Sequence, residues 1–168
     1  MVKKESEMAE DYKVFLDKGI ELINNGKYQE AIDYINNSLN IKKDWSIPYF
    51  YRAVAYDAIN SFDEAILDYT KAIQLDDKMT DAYYNRARII LSRKDIDNPN
   101  IEKAIKDLEK AIALDNKFVD ALYAMAAAKV KLQEYHSALE YLEKLLQIEP
   151  DAVWAKALKK LILKKYIV

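Results

Sequence analysis

Four segments of this chain superimpose on one another, and their spacing limits the fold more than any other feature. Each has an alanine, a large apolar residue four positions later and a small or apolar residue three positions beyond that. The alanines are Ala31, Ala65, Ala104 and Ala138, at intervals of 34, 39 and 34 residues. This is the period of a helical hairpin, with five extra residues in the middle interval. The sequence therefore indicates a repeat array, which presents surfaces for binding.

A scarcity of turn-forming residues favours helices throughout the chain. The 168 residues include 2 glycines and 3 prolines, whereas β-hairpins need such residues at each reversal of the chain. The hydrophobic fraction of 51% is enough to fill the core of one domain. We therefore predict an all-α fold that forms a single domain over residues 1–168.

Charge and cysteine content argue against several classes of partner and site. The formal net charge of the chain is -2, and the 26 basic and 28 acidic residues are spread along its length. This distribution favours neither nucleic acid nor a membrane as partner. The chain has no cysteine, so disulfides and thiolate metal sites are excluded. No signal peptide or membrane span is evident, and we expect a cytoplasmic location and no metal or cofactor.

Apolar residues at three- and four-residue spacing predict nine helices. The first helix of each hairpin, the A helix, covers roughly 7–24, 46–59, 80–93 and 119–132; the second, the B helix, covers roughly 28–41, 62–75, 99–114 and 135–148; a last helix covers roughly 151–166. Turn signals agree with these spans. Asn25-Gly26 ends the first helix, Ser61 with Glu64 predicts a capping box, and Asn98-Pro99 predicts a cap with a first-turn proline. Pro48 and Pro150 are also expected in or just before first turns.

The repeats share small residues at two positions when they are counted from Tyr12, Ser46, Thr80 and Val119. Position 20 is always alanine if the five extra residues of the third repeat are left out of the count, and position 8 is Gly19, Ala53, Ala87 and Ala126. Position 4 is Phe15, Tyr49, Tyr83 and Leu122, and position 7 departs from the usual leucine with Lys18, Arg52, Arg86 and Met125. The pattern resembles the tetratricopeptide repeat, W-x2-L-G-x2-Y followed by A-x3-F. The repeats are then about 12–45, 46–79, 80–118 and 119–152, followed by a capping helix at about 151–166.

This resemblance implies a right-handed α-α superhelix, a solenoid of four hairpins and a final helix, whose concave wall is made by the A helices. Family members usually bind peptides there, so groove-facing positions of the A helices become candidate binding residues. Phe50, Tyr84 and Tyr123 are the expected anchors, although such rings also pack between neighbouring helices. The candidate peptide-binding residues are Leu16, Ile20, Phe50, Tyr51, Val54, Asp81, Tyr84, Asn85, Arg88, Asp120 and Tyr123.

Some members of the family hold the C-terminal carboxylate of chaperone tails with a clamp of lysines, asparagines and an arginine. In the first three repeats the clamp positions hold Leu16, Ile20, Tyr51, Asp81 and Asn85. Most of these side chains are apolar or acidic, which does not suit a carboxylate ligand. The sequence therefore argues against a chaperone-tail adaptor.

Other features of the sequence suggest different kinds of site. Asp95, Asp97 and Asn98 hint at a calcium loop, but Pro99 falls where a ligand is needed and no glycine makes the sharp turn, so a bare loop is favoured. The single histidine, His136, is expected to lie exposed early in a helix, and no catalytic residues emerge.

The last helix has an apolar face and a lysine face, as membrane-surface helices do, but capping of the array is the favoured interpretation. Its further apolar residues Leu163, Tyr166, Ile167 and Val168 suggest weak self-association. We predict a non-catalytic scaffold that binds a protein or peptide segment in the concave groove, and not an enzyme. The alternative is a structural module that assembles with itself through its terminal helices.

Overall fold

The computed structural model describes residues 11–94 and 96–166, and within them it has nine α-helices and no β-strand. The helices are α1 (Asp11–Asn24), α2 (Tyr28–Ile41), α3 (Ser46–Ala58), α4 (Phe62–Leu75), α5 (Thr80–Ser92), α6 (Asn98–Leu114), α7 (Val119–Lys131), α8 (Tyr135–Ile148) and α9 (Val153–Tyr166). The predicted helices are confirmed to within two residues at each end, except that residues 7–10 of the first lie outside the described residues.

The chain groups into two compact units, one up to Ala82 and the other from Tyr83 onward. We call them the N-terminal unit and the C-terminal unit. In the N-terminal unit α1 packs on α2 and α3 on α4, and in the C-terminal unit α7 packs on α8 and α8 on α9. The prediction of a single domain stays a prediction. None of the helices in the described part of the chain has the length and apolar content needed to span a membrane.

Small residues let the two helices of each hairpin cross closely. The four repeat alanines Ala31, Ala65, Ala104 and Ala138 have no exposed surface at all. At Gly19 the two helices approach so closely that not even an alanine fits without a shift, because a Cβ atom placed there would lie 2.5 Å from Cγ1 of Ile35. The large residue four positions after each alanine fills the adjoining space, and it too is fully buried in every hairpin. The close crossing predicted from the alanine period is therefore confirmed.

The turn between the A and B helices has one backbone conformation in three of the four hairpins. Gly26, Asn60 and Gln133 all occupy position 15 of their repeats, and all have a positive φ, at 73°, 61° and 62°. In each case the next residue donates its N–H to a carbonyl five residues earlier, as Lys27 does to Leu22 at 2.8 Å. This is a Schellman ending, which satisfies carbonyls at the end of the A helix.

Two of the predicted caps are wrong. Ser61 lies at the N-terminus of α4, but its side chain accepts no hydrogen bond, since the tight turn before it fixes a different backbone geometry. Helix α6 is capped by Asp97 and not by Asn98, because the Asp97 side chain accepts from the Asn100 N–H at 3.0 Å. Pro150 precedes α9, which begins at Val153, as expected.

The extra residues of the third hairpin are partly helical. Helix α6 has 17 residues, whereas α2, α4 and α8 have 14 each. The residue equivalent to the first residue of those helices is Ile101, so α6 begins three residues earlier, at Asn98. Asp97 is occupied as a cap, Asp95 lies outside the described residues, and no cluster of acids or histidines that would suit a metal ion occurs in the part that the structure describes.

Two arginines at position 7 form ion pairs with aspartates of the B helix. Arg52 Nε and Nη2 donate to Asp68 at 2.6 and 2.8 Å, and Arg86 makes the same two bonds to Asp107 at 2.8 and 2.6 Å. Burial lowers the pKa of Arg52, but the hydrogen bond to Asp68 and its charge outweigh burial and raise the pKa above its ordinary value. The departure from leucine therefore adds a specific contact between the two helices.

Helix α9 covers the exposed side of the fourth hairpin. Ala155 and Ile162 are fully buried, in a cluster that includes Leu142 and Leu145 of α8. Packing therefore explains part of the apolar pattern of the last helix, namely Ala155, Ile162 and the partly buried Leu158, whereas Leu161 remains exposed. His136 is exposed in the first turn of α8, as predicted.

Candidate peptide-binding surface

In the N-terminal unit, one predicted binding residue is part of the core. Leu16 is only 2% exposed and packs with Ile35 and Leu39. The prediction that Leu16 faces the groove is therefore wrong, because a side chain buried in this core cannot contact a partner. Ile20 and Tyr51 are half-buried and pack against the same cluster.

Phe50 also contacts the core of its own hairpin. Its ring centroid lies 5.8 Å from that of Tyr69, which is fully buried in α4, and 5.4 Å from that of Tyr51. Phe50 and Val54 are both half-buried. Packing against neighbouring rings therefore accounts for much of the position of the Phe50 side chain. Its role as an anchor for a partner stays a prediction.

In the C-terminal unit, four of the predicted residues surround one cleft. The cleft lies between α5 and α7 and has a volume of about 360 Å³. Its predicted members are Tyr84, Arg88, Asp120 and Tyr123. The other residues that line it are Leu91, Ser92, Ala124, Ala127, Ala128 and Lys131. We call this surface the A-helix cleft. Asn85 is half-buried beside it without lining it, and Asp81 is exposed at the start of α5.

Both tyrosines of the A-helix cleft are held by an aromatic neighbour. The ring of Tyr84 lies 4.9 Å from that of Phe118, centroid to centroid, with the planes tilted by 54°. Tyr123 meets Trp154 of α9 edge to face, with centroids 4.6 Å apart. Such pairs add to the stability of each ring position. The two rings are therefore fixed in place and still contribute to the surface of the cleft.

The surroundings of Tyr84 shift the pKa of its phenol. Burial raises the pKa of the Tyr84 phenol above its ordinary value, and the charge of Asp120 raises it further, whereas Arg88 acts in the opposite direction. A tyrosine phenol is protonated at neutral pH even without this shift, so the hydroxyl of Tyr84 can donate a hydrogen bond to a partner. Arg88, Asp120 and Lys131 are exposed at the rim, so the A-helix cleft presents both signs of charge.

Sequence reasoning missed several members of this cleft. Ser92 and Lys131 share position 13, which was not among the groove positions considered, although three or four residues separate it from chosen positions on the same helical face. Phe118 precedes α7 and was not among the A-helix positions used for the prediction. Trp154 was placed on the apolar face of the capping helix and not in the groove. The run of alanines in α7 could have indicated the cleft, though less clearly, because small side chains leave open space beside a helix.

Comparisons with known proteins agree with this repeat architecture. A tetratricopeptide repeat model matches residues 12–44 and 48–79, and a model described as the Fis1 C-terminal tetratricopeptide repeat matches residues 119–167. Sperm-associated antigen 1 of Rattus norvegicus is 32% identical over 87 residues, which are 52% of this chain and 9% of that protein. The chain spans less than a quarter of the length of the curated relatives it matches.

Two solved structures extend the comparison to the fold. The crystal structure of MamA protein has a TM-score of 0.84 at 23% identity and covers 92% of this chain and 82% of its own, which shows a shared fold. The first TPR of Spaghetti (RPAP3), bound to HSP90 peptide SRMEEVD, has a TM-score of 0.68 at 25% identity and covers 74% of this chain and 95% of its own. The fold is thus an all-α superhelical repeat, and the chain belongs to the tetratricopeptide repeat family.

Proposed function

We propose that this chain is a non-catalytic interaction module that binds a segment of a partner protein in the A-helix cleft. The observation that carries the proposal is the pair of tyrosines, Tyr84 and Tyr123, fixed by Phe118 and Trp154 on either side of an open cleft. Rings that are held before binding lose little conformational freedom when a partner arrives. Buried aromatic side chains are also frequent energetic centres of protein interfaces.

The shape and charge of the A-helix cleft favour a particular kind of segment. Ala124, Ala127 and Ala128 line the cleft with small side chains, which leaves room in it for an apolar side chain of the partner. Asp120 favours a basic residue in the segment, and Arg88 with Lys131 favours an acidic one. We therefore expect an apolar residue flanked by charges of both signs.

The comparison with RPAP3 supports peptide binding as the activity but not the same ligand. That protein is described as bound to a peptide that ends in EEVD. In the present chain two positions of the first-repeat clamp hold Leu16, which is buried, and Ile20, which packs on the core. Since neither side chain can pair with a carboxylate, we propose an internal segment of the partner as the ligand and not a free C-terminus.

Self-assembly is the second candidate function, and one observation favours it. Leu161, Leu163 and Tyr166 of α9 are 53%, 44% and 39% exposed, so several large apolar side chains of the last helix remain open to a second copy. Sedimentation at several protein concentrations separates the two functions. A scaffold remains monomeric over this range, whereas a self-assembling module increases in mass.

The proposal is tested by affinity capture from native extract with the double variant Tyr84→Ala/Tyr123→Ala. We expect the variant to retain its helical circular dichroism and to lose most of the captured partner, at least tenfold, because both anchors are removed. Leu67→Ala is the control, since Leu67 is 69% exposed on α4 and is not among the residues that line the cleft. Equal capture by the wild type and the double variant contradicts the assignment of the site. Phe50→Ala is measured separately, because it also removes a contact with buried Tyr69.

A further inference from the structure

We propose that a second surface, between α8 and α9, binds an acidic amphipathic segment of a partner protein. Leu146 of α8 and Leu163 of α9 form its apolar floor, and lysines of α9 surround them. The groove has a volume of about 670 Å³ and is lined by Leu146, Lys156, Lys159, Lys160, Leu163 and Lys164. We call it the basic groove. None of its residues belongs to the A-helix cleft.

Positive charge is concentrated at the basic groove and not in the chain as a whole. Helix α9 contains five lysines and no acidic residue, although the formal net charge of the chain is -2. Lys159 pairs with Glu143 at 3.1 Å, and Lys156 lies 3.6 Å from Asp151. Lys160 and Lys164 make no ion pair with any residue in the described ranges. A carboxylate-bearing partner would therefore gain two cations that local acids do not neutralise.

The spacing of these two lysines suits a helical partner. Lys160 and Lys164 are four residues apart, so they lie on one face of α9, and Leu163 lies on the same side. Leu163 is 44% exposed, whereas Ile162, beside it in sequence, is fully buried. A segment with an apolar residue between two carboxylates complements this arrangement of leucine and lysines.

A protein segment fits the basic groove better than a membrane does. An interfacial membrane helix needs a broad apolar face that is free to enter the lipid. In α9 the corresponding face, with Ala155 and Ile162, is already buried in the core of the C-terminal unit. What remains exposed toward the groove is a narrow apolar floor within a basic rim, which matches one side chain and its charged neighbours.

The test uses a fluorescently labelled amphipathic helical peptide built from glutamate, leucine and alanine, with anisotropy as the readout. We expect the full chain to bind this peptide, and we expect Lys160→Glu/Lys164→Glu to weaken binding by about tenfold or more. The matched control is Lys165→Glu, on the same helix but outside the groove lining, which is expected to leave the Kd within about twofold. We also expect the unchanged chain to bind a peptide with glutamine in place of every glutamate no more tightly than the double variant binds the glutamate peptide.

Several results would overturn the proposal. One is an unchanged Kd for the Lys160→Glu/Lys164→Glu variant that retains its helical circular dichroism. Another is that the chain binds phosphatidylserine vesicles or duplex DNA more tightly than the peptide, and that the double variant loses this binding. That result would assign the lysines to lipid or nucleic acid. A third is dimerisation in sedimentation that the double variant abolishes, which assigns the groove to a second copy. Tyr84→Ala is expected to leave peptide binding unchanged, so failure here is distinct from failure of the A-helix cleft.

Discussion

At the scale of single residues, the pairing of position 7 with position 23 explains a departure that the repeat pattern alone does not. The two repeats with arginine at position 7 have an aspartate at position 23, counted without the five extra residues of the third repeat, namely Asp68 and Asp107. The two repeats without arginine there have Tyr34 and Tyr141 instead. Internal repeats thus act as a small alignment, and co-variation between two positions indicates contact. This signal was present in the sequence but was not used, because position 7 was considered by itself.

The ion pairs lead to a prediction about stability. Asp68→Asn and Asp107→Asn are each expected to lower the free energy of unfolding by about 2–3 kcal/mol, because each leaves a largely buried guanidinium without its charged partner. The side chains of Asp68 and Asp107 are only 9% and 10% exposed. Urea unfolding followed by circular dichroism measures the effect. Glu109→Gln, at an exposed position of α6, is the control and is expected to change stability by less than about 0.5 kcal/mol. A loss no larger than that of the control would mean that the pairs add nothing to stability.

At the scale of helices and turns, the positive φ at position 15 shows how one geometry recurs with three different residues. Glycine, asparagine and glutamine occupy this position in the first, second and fourth hairpins. Glycine adopts such a backbone freely, asparagine tolerates it, and glutamine is strained there. The Schellman ending is therefore imposed on Gln133 by the close packing of α7 and α8, and not by its own preference.

Replacement of Gln133 by glycine tests this explanation. Gln133→Gly is expected to raise the free energy of unfolding by about 0.5–1 kcal/mol, since relief of the strained φ outweighs the greater freedom of glycine in the unfolded chain. Gly26→Gln, the reverse change in the first hairpin, is expected to lower it by a similar amount. Thermal melting of both variants provides the measurement. Equal melting temperatures for the two variants and the wild type would contradict a strained turn.

The same elements show how far sequence reasoning extends. The 34-residue period predicted the hairpins and their helices, because alanine at a close crossing leaves few alternatives in each repeat. It predicted the start of α6 to within one residue but not its cap, since the insertion there has no equivalent in the other repeats and Asp97 takes the place expected for Asn98. Leu16 was assigned to the groove because position 5 faces it in the family pattern, but in the first hairpin this side chain lies in the core with Ile35 and Leu39.

At the scale of the whole molecule, binding surfaces follow from where the packing of hairpins leaves side chains unused. In the C-terminal unit the A-helix cleft lies beside rings fixed by neighbouring aromatics, and the basic groove lies where α9 covers the fourth hairpin. Neither surface could be predicted in full from the pattern of a single repeat, because Trp154 and Lys160 belong to the capping helix. The two surfaces differ in charge and shape, so we expect them to recognise different segments.

Site-specific photo-crosslinking in native extract tests the central proposal most directly. Benzoylphenylalanine is placed at Ser92 or Lys131, which line the rim of the A-helix cleft without replacing its anchors, and at exposed Leu67 of α4 as a control. We predict a covalent adduct with the same partner from both rim positions and none from Leu67. An adduct of equal yield from Leu67, or none from either rim position while the partner is still captured, would contradict binding in the cleft.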